Sequence, residues 1–399
     1  MKKFILLLAI MLFGMSVSIL AQPNDNDSLQ RIYNTLSQYK VVYADSFHEG
    51  YAKIGVRKGE ELLVGLINKN GDIILPFEYR KIGEYGENGL IAVEDINWKW
   101  GYADKKGNIV IPCQYHNAAV FSDGLAGVSL EKDVSFYINE QTEEVVPPFT
   151  AYKMGVFHNG IAPIEFDKKE TSFINKKGEV VIPPIKGRCR YFTEGLFYID
   201  GNDGGWLMNS QGKMITPKQG WVLRGIFSEG LMGYGTITEK KYGFINTNGE
   251  VAIPAQFDEV RNFSEGLAAV KLNNKWGFID KEGNIIIPCQ FDGVDSNRNF
   301  SEGLAAVCLN KKWGFINKLG KIVIPCIYDS AKEFCSGYTV VRNNNNQPAL
   351  IDKQGNICLG FGRITAISGF SDGLCHVSTS DRTGYADIHG NSIMVPRVK

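Results

Sequence analysis

The stretch Trp276-Gly277-Phe278-Ile279-Asp280-Lys281-Glu282-Gly283 returns as Trp313-Gly314-Phe315-Ile316-Asn317-Lys318-Leu319-Gly320, and laying one on the other brings the rest of the chain into register. The glycine of the Trp-Gly pair falls at Gly65, Gly101, Phe136, Ser172, Trp206, Gly243, Gly277, Gly314, Ala349 and Gly384, in steps of 34 to 37 residues. Three residues later every unit has Asn or Asp, from Asn68 to Asp387, and three further on Gly in all but one, where Thr142 stands. An Asx side chain bonds the backbone of a turn, and glycine accepts the left-handed residue that closes it, so each site reads as a strand-to-strand connection. Lys275 to Asp280 and Asn284 to Ile287 read as the flanking strands, the second rich in β-branched residues. Proline follows that second strand in eight of ten units, as at Pro76, Pro217, Pro288 and Pro325. Having no N–H to donate, it is expected to stop the strand or to face an unpaired side.

A second marker precedes each hairpin: Phe-Ser-Glu-Gly-Leu, whole at Phe227 to Leu231, Phe263 to Leu267 and Phe300 to Leu304. Its glycine occurs in all ten units and its aromatic in nine, the unit of Gly89 lacking one. One unit cannot hide its own apolar face, so a regularly placed aromatic is what successive units stack on. Burying each phenylalanine contributes about 1.5–3 kcal/mol before chain entropy is subtracted. By the same logic Trp100, Trp276 and Trp313, which share the repeat position, are expected in the core. Trp98, Trp206 and Trp221 are off register or replace the glycine, which makes them the candidates for an exposed binding surface.

With Lys275-Trp-Gly-Phe-Ile-Asp, Gly283, Ile286-Ile287-Pro288 and Phe300-Ser-Glu-Gly-Leu-Ala-Ala-Val307 in hand, the chain resembles the bacterial WG-repeat family, also called KWG repeats, from Phe47 to Pro396. The resemblance implies a β-rich scaffold, commonly in exported or surface proteins, with no shared catalytic residues. The units of Phe136, Ser172 and Trp206 depart from the pattern, and the ninth has Gly360 in place of its proline.

The chain opens with Lys2 and Lys3, an apolar run from Phe4 to Leu20, and a small residue, Ala21, before a polar segment. That order predicts a signal peptide over 1–21 with cleavage after Ala21, and an exported product in the periplasm, on the outer surface or secreted. No cysteine follows, so no lipoprotein anchor is expected, nor an integral membrane protein once the signal is removed. Residues 22–42 form a linker or a short capping helix, with Leu29, Ile32, Tyr33 and Leu36 at helical spacing and Asp27 or Ser28 as cap. The repeat array occupies 43–399.

The 43 basic and 43 acidic residues cancel without long blocks, which excludes an electrostatic footprint for nucleic acid. Eight cysteines contain no C-x-x-C pair, and Cys113, Cys289 and Cys326 all follow the repeat proline as small buried hydrophobes, leaving room for one or two disulfides. Gly369-Phe-Ser-Asp-Gly373 matches a hydrolase nucleophile pattern but is one more Phe-Ser-Asp-Gly copy. Five scattered histidines give no zinc spacing, and Asp200 to Gly205 lacks the glutamate that closes a calcium loop. No cofactor or metal is therefore expected.

The expected fold is all-β, ten antiparallel hairpin repeats. An open superhelical stack is favoured over a closed propeller-like ring, because ten units are many and 35 residues few for a propeller blade. The leading expectation for function is a non-enzymatic exported scaffold that binds a protein or a cell-envelope polymer. The alternatives are carbohydrate binding by Trp98, Trp206 and Trp221, and a hydrolase site in the irregular middle between Asp133 and Trp221.

Overall fold

A computed structural model describes residues 25–398 except 132–133, 152, 166–169, 202–203, 216–220, 296–298 and 363. The expected signal peptide 1–21 lies outside the described residues, as do Asp133 and Pro217. Ten four-stranded antiparallel sheets succeed one another, each a simple meander of contiguous chain. They form blades 1 to 10, over residues 41–79, 81–115, 117–149, 153–186, 188–215, 221–257, 259–291, 293–328, 330–360 and 366–396.

Blade 7 shows how so short a unit suffices. Its strands are Glu259–Val260, Ala268–Leu272, Lys275–Ile279 and Ile285–Phe291, and only Asp292 separates the last from blade 8. A two-residue first strand saves the length that a full blade was expected to need. In each meander the first and third turns lie at one rim, here the front. The second turns and the links between blades lie at the back.

The blades close into a ten-bladed propeller, not the open stack. Within the array, Phe244 meets Phe263 of the next blade at a centroid separation of 4.9 Å, Phe278 meets Phe300 at 5.0 Å, and Phe315 meets Phe334 at 4.8 Å. Tyr385 of blade 10 meets Phe47 of blade 1 at 4.9 Å in the same way. Its hydroxyl donates to Asp45 O at 2.7 Å, as Tyr102 donates to Ala119 O at 2.6 Å and Tyr137 to Gly155 O at 2.7 Å. A terminal apolar face would otherwise remain in water, and the ring removes both.

The N-terminal helix, Asp25–Leu36, begins slightly before the expected cap and sits in this seam. Leu29, Ile32 and Leu36 are buried in one cluster with Val41 and Phe47 of blade 1 and Leu374, Tyr385 and Val395 of blade 10. At other interfaces the third-turn glycine faces the fourth strand of the preceding blade, Gly283 against Ile253 and Gly320 against Ile287. Gly71 instead faces the backbone of Arg31 and Ile32, and Thr35 Oγ1 donates to its carbonyl at 2.7 Å. The helix thus caps the last repeat as well as the first.

The Trp-Gly pair has a backbone cause. Trp276 pairs with Phe291 and Phe278 with Ile287, so four steps on the fourth strand answer two on the third. That wide bulge carries the fourth strand across Gly277, where a Cβ would lie 2.5 Å from Ile287 O and 2.7 Å from Cys289 N. In blade 4, with Ser172 at this position, Thr171 pairs with Ile185 and Phe173 with Ile182, a narrower bulge. The repeat proline does not stop the strand. It stands exposed within the bulge of an edge strand, where no neighbour needs its missing N–H.

Candidate binding surface

Most of the recurrent polar residues are used up in holding the ring. Ser264 and Leu267 close a two-residue first turn in which Glu265 and Gly266 both have positive φ, 52° and 85°. The strain in a non-glycine residue is answered from the next blade. The Gly303 N–H donates to Glu265 Oε2 at 3.0 Å, and Lys318 lies 3.1 Å from the same atom. Glu302 makes the matching contacts with Gly337 N at 2.8 Å and Lys353 at 3.0 Å, and Asp123 with Gly160 N at 2.7 Å and Lys176 at 2.9 Å. Burial alone would raise the Glu302 pKa, but the Lys353 ammonium and the Gly337 N–H outweigh it and hold the carboxyl below its ordinary range. Ser301 Oγ donates to Phe334 O at 2.7 Å, again across the interface.

The apparent nucleophile Ser371 sits in the corresponding turn of blade 10, where the Gly50 N–H donates to Asp372 Oδ2 at 2.8 Å. The hydrolase-like pattern is thus a ring-closing turn. Asp200 is bonded by the Arg190 guanidinium at 2.7 and 2.9 Å. No group of His, Cys, Asp and Glu among the described residues is arranged to hold a metal. All eight cysteines are free thiols, and burial pushes the Cys113 thiol up to about 11.

The three off-register tryptophans lie in different blades. Trp206, on the third strand of blade 5, and Trp221, at the start of blade 6, are half-buried against their local cores, Trp221 with its ring 4.3 Å from that of Tyr234. They do not share a surface with Trp98. Of the repeat-position tryptophans, Trp276 is buried as expected, whereas Trp100 and Trp313 are only half-buried.

Trp98 stands out. It closes the second turn of blade 2, where Asp95 Oδ1 accepts from Asn97 N and Lys99 N at 2.9 Å and Trp98 N donates to Asp95 O at 3.1 Å. Asp280 makes the same bonds in the third turn of blade 7, accepting from Glu282 N and Asn284 N, but with Gly283 as the closing residue. The second turn of blade 9 has the same bonds, Asn343 Oδ1 accepting from Asn345 N and Gln347 N, with Asn346 closing it at φ 59°, so Trp98, at φ 61°, holds a left-handed position that suits Gly or Asn. A Cβ there costs roughly 1–2 kcal/mol. The ring is 57 % exposed beside Ile96 at 53 %, and the Arg80 guanidinium lies 3.5 Å from its centroid. Arg80 Nε is buried without a hydrogen-bond partner among the described residues. Exposed Leu62 of blade 1 and Leu130 of blade 3 continue the apolar rim on either side, at the same back edge of the ring. Arg80 and Ile96 escaped the sequence reading, although Asp95-Ile-Asn-Trp-Lys is the Asx turn pattern with tryptophan in the glycine's place.

No curated protein matches the chain. Among solved structures, an extracellular domain of the putative hybrid two-component system BT3049 of B. thetaiotaomicron is 10% identical, with a TM-score of 0.29, over 90% of this chain and 71% of that one. Apo AztD of Citrobacter koseri is 9% identical, with a TM-score of 0.31, over 90% and 94%. Hsv2 of Kluyveromyces lactis is 10% identical, with a TM-score of 0.33, over 50% and 71%. No helix among the described residues is long and apolar enough to cross a membrane. The WG containing repeat matches at residues 65–97, 100–132, 172–206, 242–276, 276–313 and 313–346. These segments make up just over half of the sequence, and with the ten-fold recurrence of the same blade they establish that the chain belongs to the WG-repeat family.

Proposed function

We propose that this protein is an exported, non-catalytic scaffold that binds a protein partner through the back rim of blades 1 to 3, with Trp98 as the anchor. The observation that carries the reading is Trp98 itself, a large apolar ring held in water at a left-handed turn position, φ 61°, which the matching second turn of blade 9 fills with the small polar Asn346 at φ 59°. Strain retained at an exposed aromatic points to a use outside the fold. Tryptophan and arginine are the side chains that most often dominate protein interfaces, and the flanking Ile96, Leu62 and Leu130 supply the apolar surround such an anchor needs. A cell-envelope polymer is the second class of partner for the same rim.

The test is crosslinking and pull-down from native envelope fractions with the mature protein and with Trp98→Gly. Relief of backbone strain, roughly 1–2 kcal/mol, opposes the lost cation–π contact of about 0.5–1 kcal/mol, so the variant stays folded. Loss of a reproducible partner in Trp98→Gly supports the reading. Capture of the same partners by both proteins overturns it.

A further inference from the structure

Nine of the ten blades place a phenylalanine before the first turn, and blade 2 alone has none. Its first turn is longer by one residue: Gly86 N donates to Leu90 O at 2.8 Å, Gly89 N donates back to Gly86 O, and Tyr85 pairs with Ile91. Tyr85 is thereby the structural counterpart of Phe263 and Phe300, although counting from the glycine assigns that place to Gly86. Unlike those buried rings, Tyr85 is half-buried and lies 5.4 Å from the ring of Tyr51. Its neighbour across the interface is shortened as well. Leu66 of blade 1 holds the position of Phe278 and Phe315. Leu207 and Leu350 also replace the ring in blades 5 and 9, but there the facing Phe227 and Phe370 are buried, whereas between blades 1 and 2 both partners depart from the pattern, and a cleft of about 450 Å³ opens at the front rim, on the face opposite Trp98.

The lining is specific. Tyr51, Leu66 and Tyr85 give apolar surface, and Asp45, Lys53 and Glu84 give polar edges. Lys53 pairs with Glu84, and Lys105, beside the cleft, pairs with Glu49 at 3.4 Å, so two pairs cancel and Asp45 leaves a single net negative charge. Acceptors and donors alternate: carboxylates beside ammonium groups, and the Tyr85 hydroxyl, which can do both. That hydroxyl is buried and has no hydrogen-bond partner among the described residues. Leaving it so costs about 1–3 kcal/mol of desolvation, a penalty a hydroxyl-bearing ligand removes.

We infer that the cleft between blades 1 and 2 binds a neutral saccharide unit, its ring face against Tyr51 and Tyr85 and its hydroxyls bridging Tyr85 Oη, Asp45 and the Lys53–Glu84 pair. Vicinal hydroxyls need an acceptor and a donor side by side and an apolar surface for their C–H face, and the cleft offers all three. Its size falls in the range of small-ligand sites, roughly 300–1,000 Å³.

The test is binding of the mature protein to an immobilised panel of neutral oligosaccharides of glucose, galactose, mannose and N-acetylglucosamine, alongside uronic acid and amine-bearing oligomers. Leu66→Phe supplies the ring that seven of the other nine blades carry and fills the cleft, and Tyr85→Phe removes only the hydroxyl. Binding to a neutral sugar that is lost in Leu66→Phe and weakened about tenfold in Tyr85→Phe supports the inference. Three results overturn it: no neutral sugar bound, binding only to charged oligomers, or undiminished binding by Leu66→Phe with its thermal unfolding unchanged. Trp98→Gly is expected to bind the sugar normally, so failure at the cleft and failure at the back rim are told apart.

Discussion

Replacing Phe47 by alanine separates a closed ring from an open array. Phe47 belongs to blade 1, is 2 % exposed, packs on Tyr385, and shares a cluster with Leu374 and Val395 of blade 10 and with Leu29, Ile32 and Leu36 of the helix. Phe300 is its counterpart at an internal interface, equally buried and paired with Phe278 at 5.0 Å. Truncating a fully buried phenylalanine costs about 3–5 kcal/mol, of which the aromatic pair supplies roughly 0.5–1.5 kcal/mol. In a closed ring Phe47→Ala and Phe300→Ala therefore lose similar amounts. In an open array Phe47 would keep only the helix and its own blade as cover and would lose Tyr385, Leu374 and Val395, so its truncation would cost clearly less than that of Phe300. Urea unfolding followed by tryptophan fluorescence measures both, as midpoint shifts at constant slope. A Phe47→Ala protein as stable as the wild type, beside a Phe300→Ala protein that has lost 3 kcal/mol or more, would refute closure.

Gly277→Ala places a Cβ 2.5 Å from Ile287 O, so the edge-strand bulge of blade 7 must shift. The expected loss is about 1–3 kcal/mol, read as a lower urea midpoint. Glu302 and Asp123 are held below their ordinary pKa values of 4.5 and 3.8, so they bind protons less readily folded than unfolded. Their stabilisation is fully present above the unfolded values and is lost as pH falls through the folded ones. Melting temperature should drop below about pH 4 and drop less in Glu302→Gln, and identical pH profiles would count against the inter-blade carboxylates. Burial pushes the Cys189 and Cys375 thiols up to about 12, whereas Cys335 is exposed. Alkylation at pH 8 followed by mass spectrometry should label Cys335 well before either, and equal rates would contradict their placement.

The repeat period, the Asx-Gly hairpins, the strands and the family are legible along the chain because they rest on local chemistry: a turn needs its residues within a few positions of each other. Local spacing also exposed the hydrolase-like Gly369 to Gly373 as one more first turn. Closure was not legible, since Tyr385 and Phe47 are far apart in sequence and only the accumulated rotation from blade to blade brings them together. The wedge of helix 25–36 in the seam follows from the same rotation. Proline and the Trp-Gly glycine recur visibly, but their shared cause, a bulge that crosses the third strand, exists only once two strands are paired. For the candidate sites the division is similar. Trp98 was legible as off register, but its strain and its Arg80 contact needed the backbone, and the cleft of Leu66 and Tyr85 arises from two deviations in separate blades that meet only across their interface.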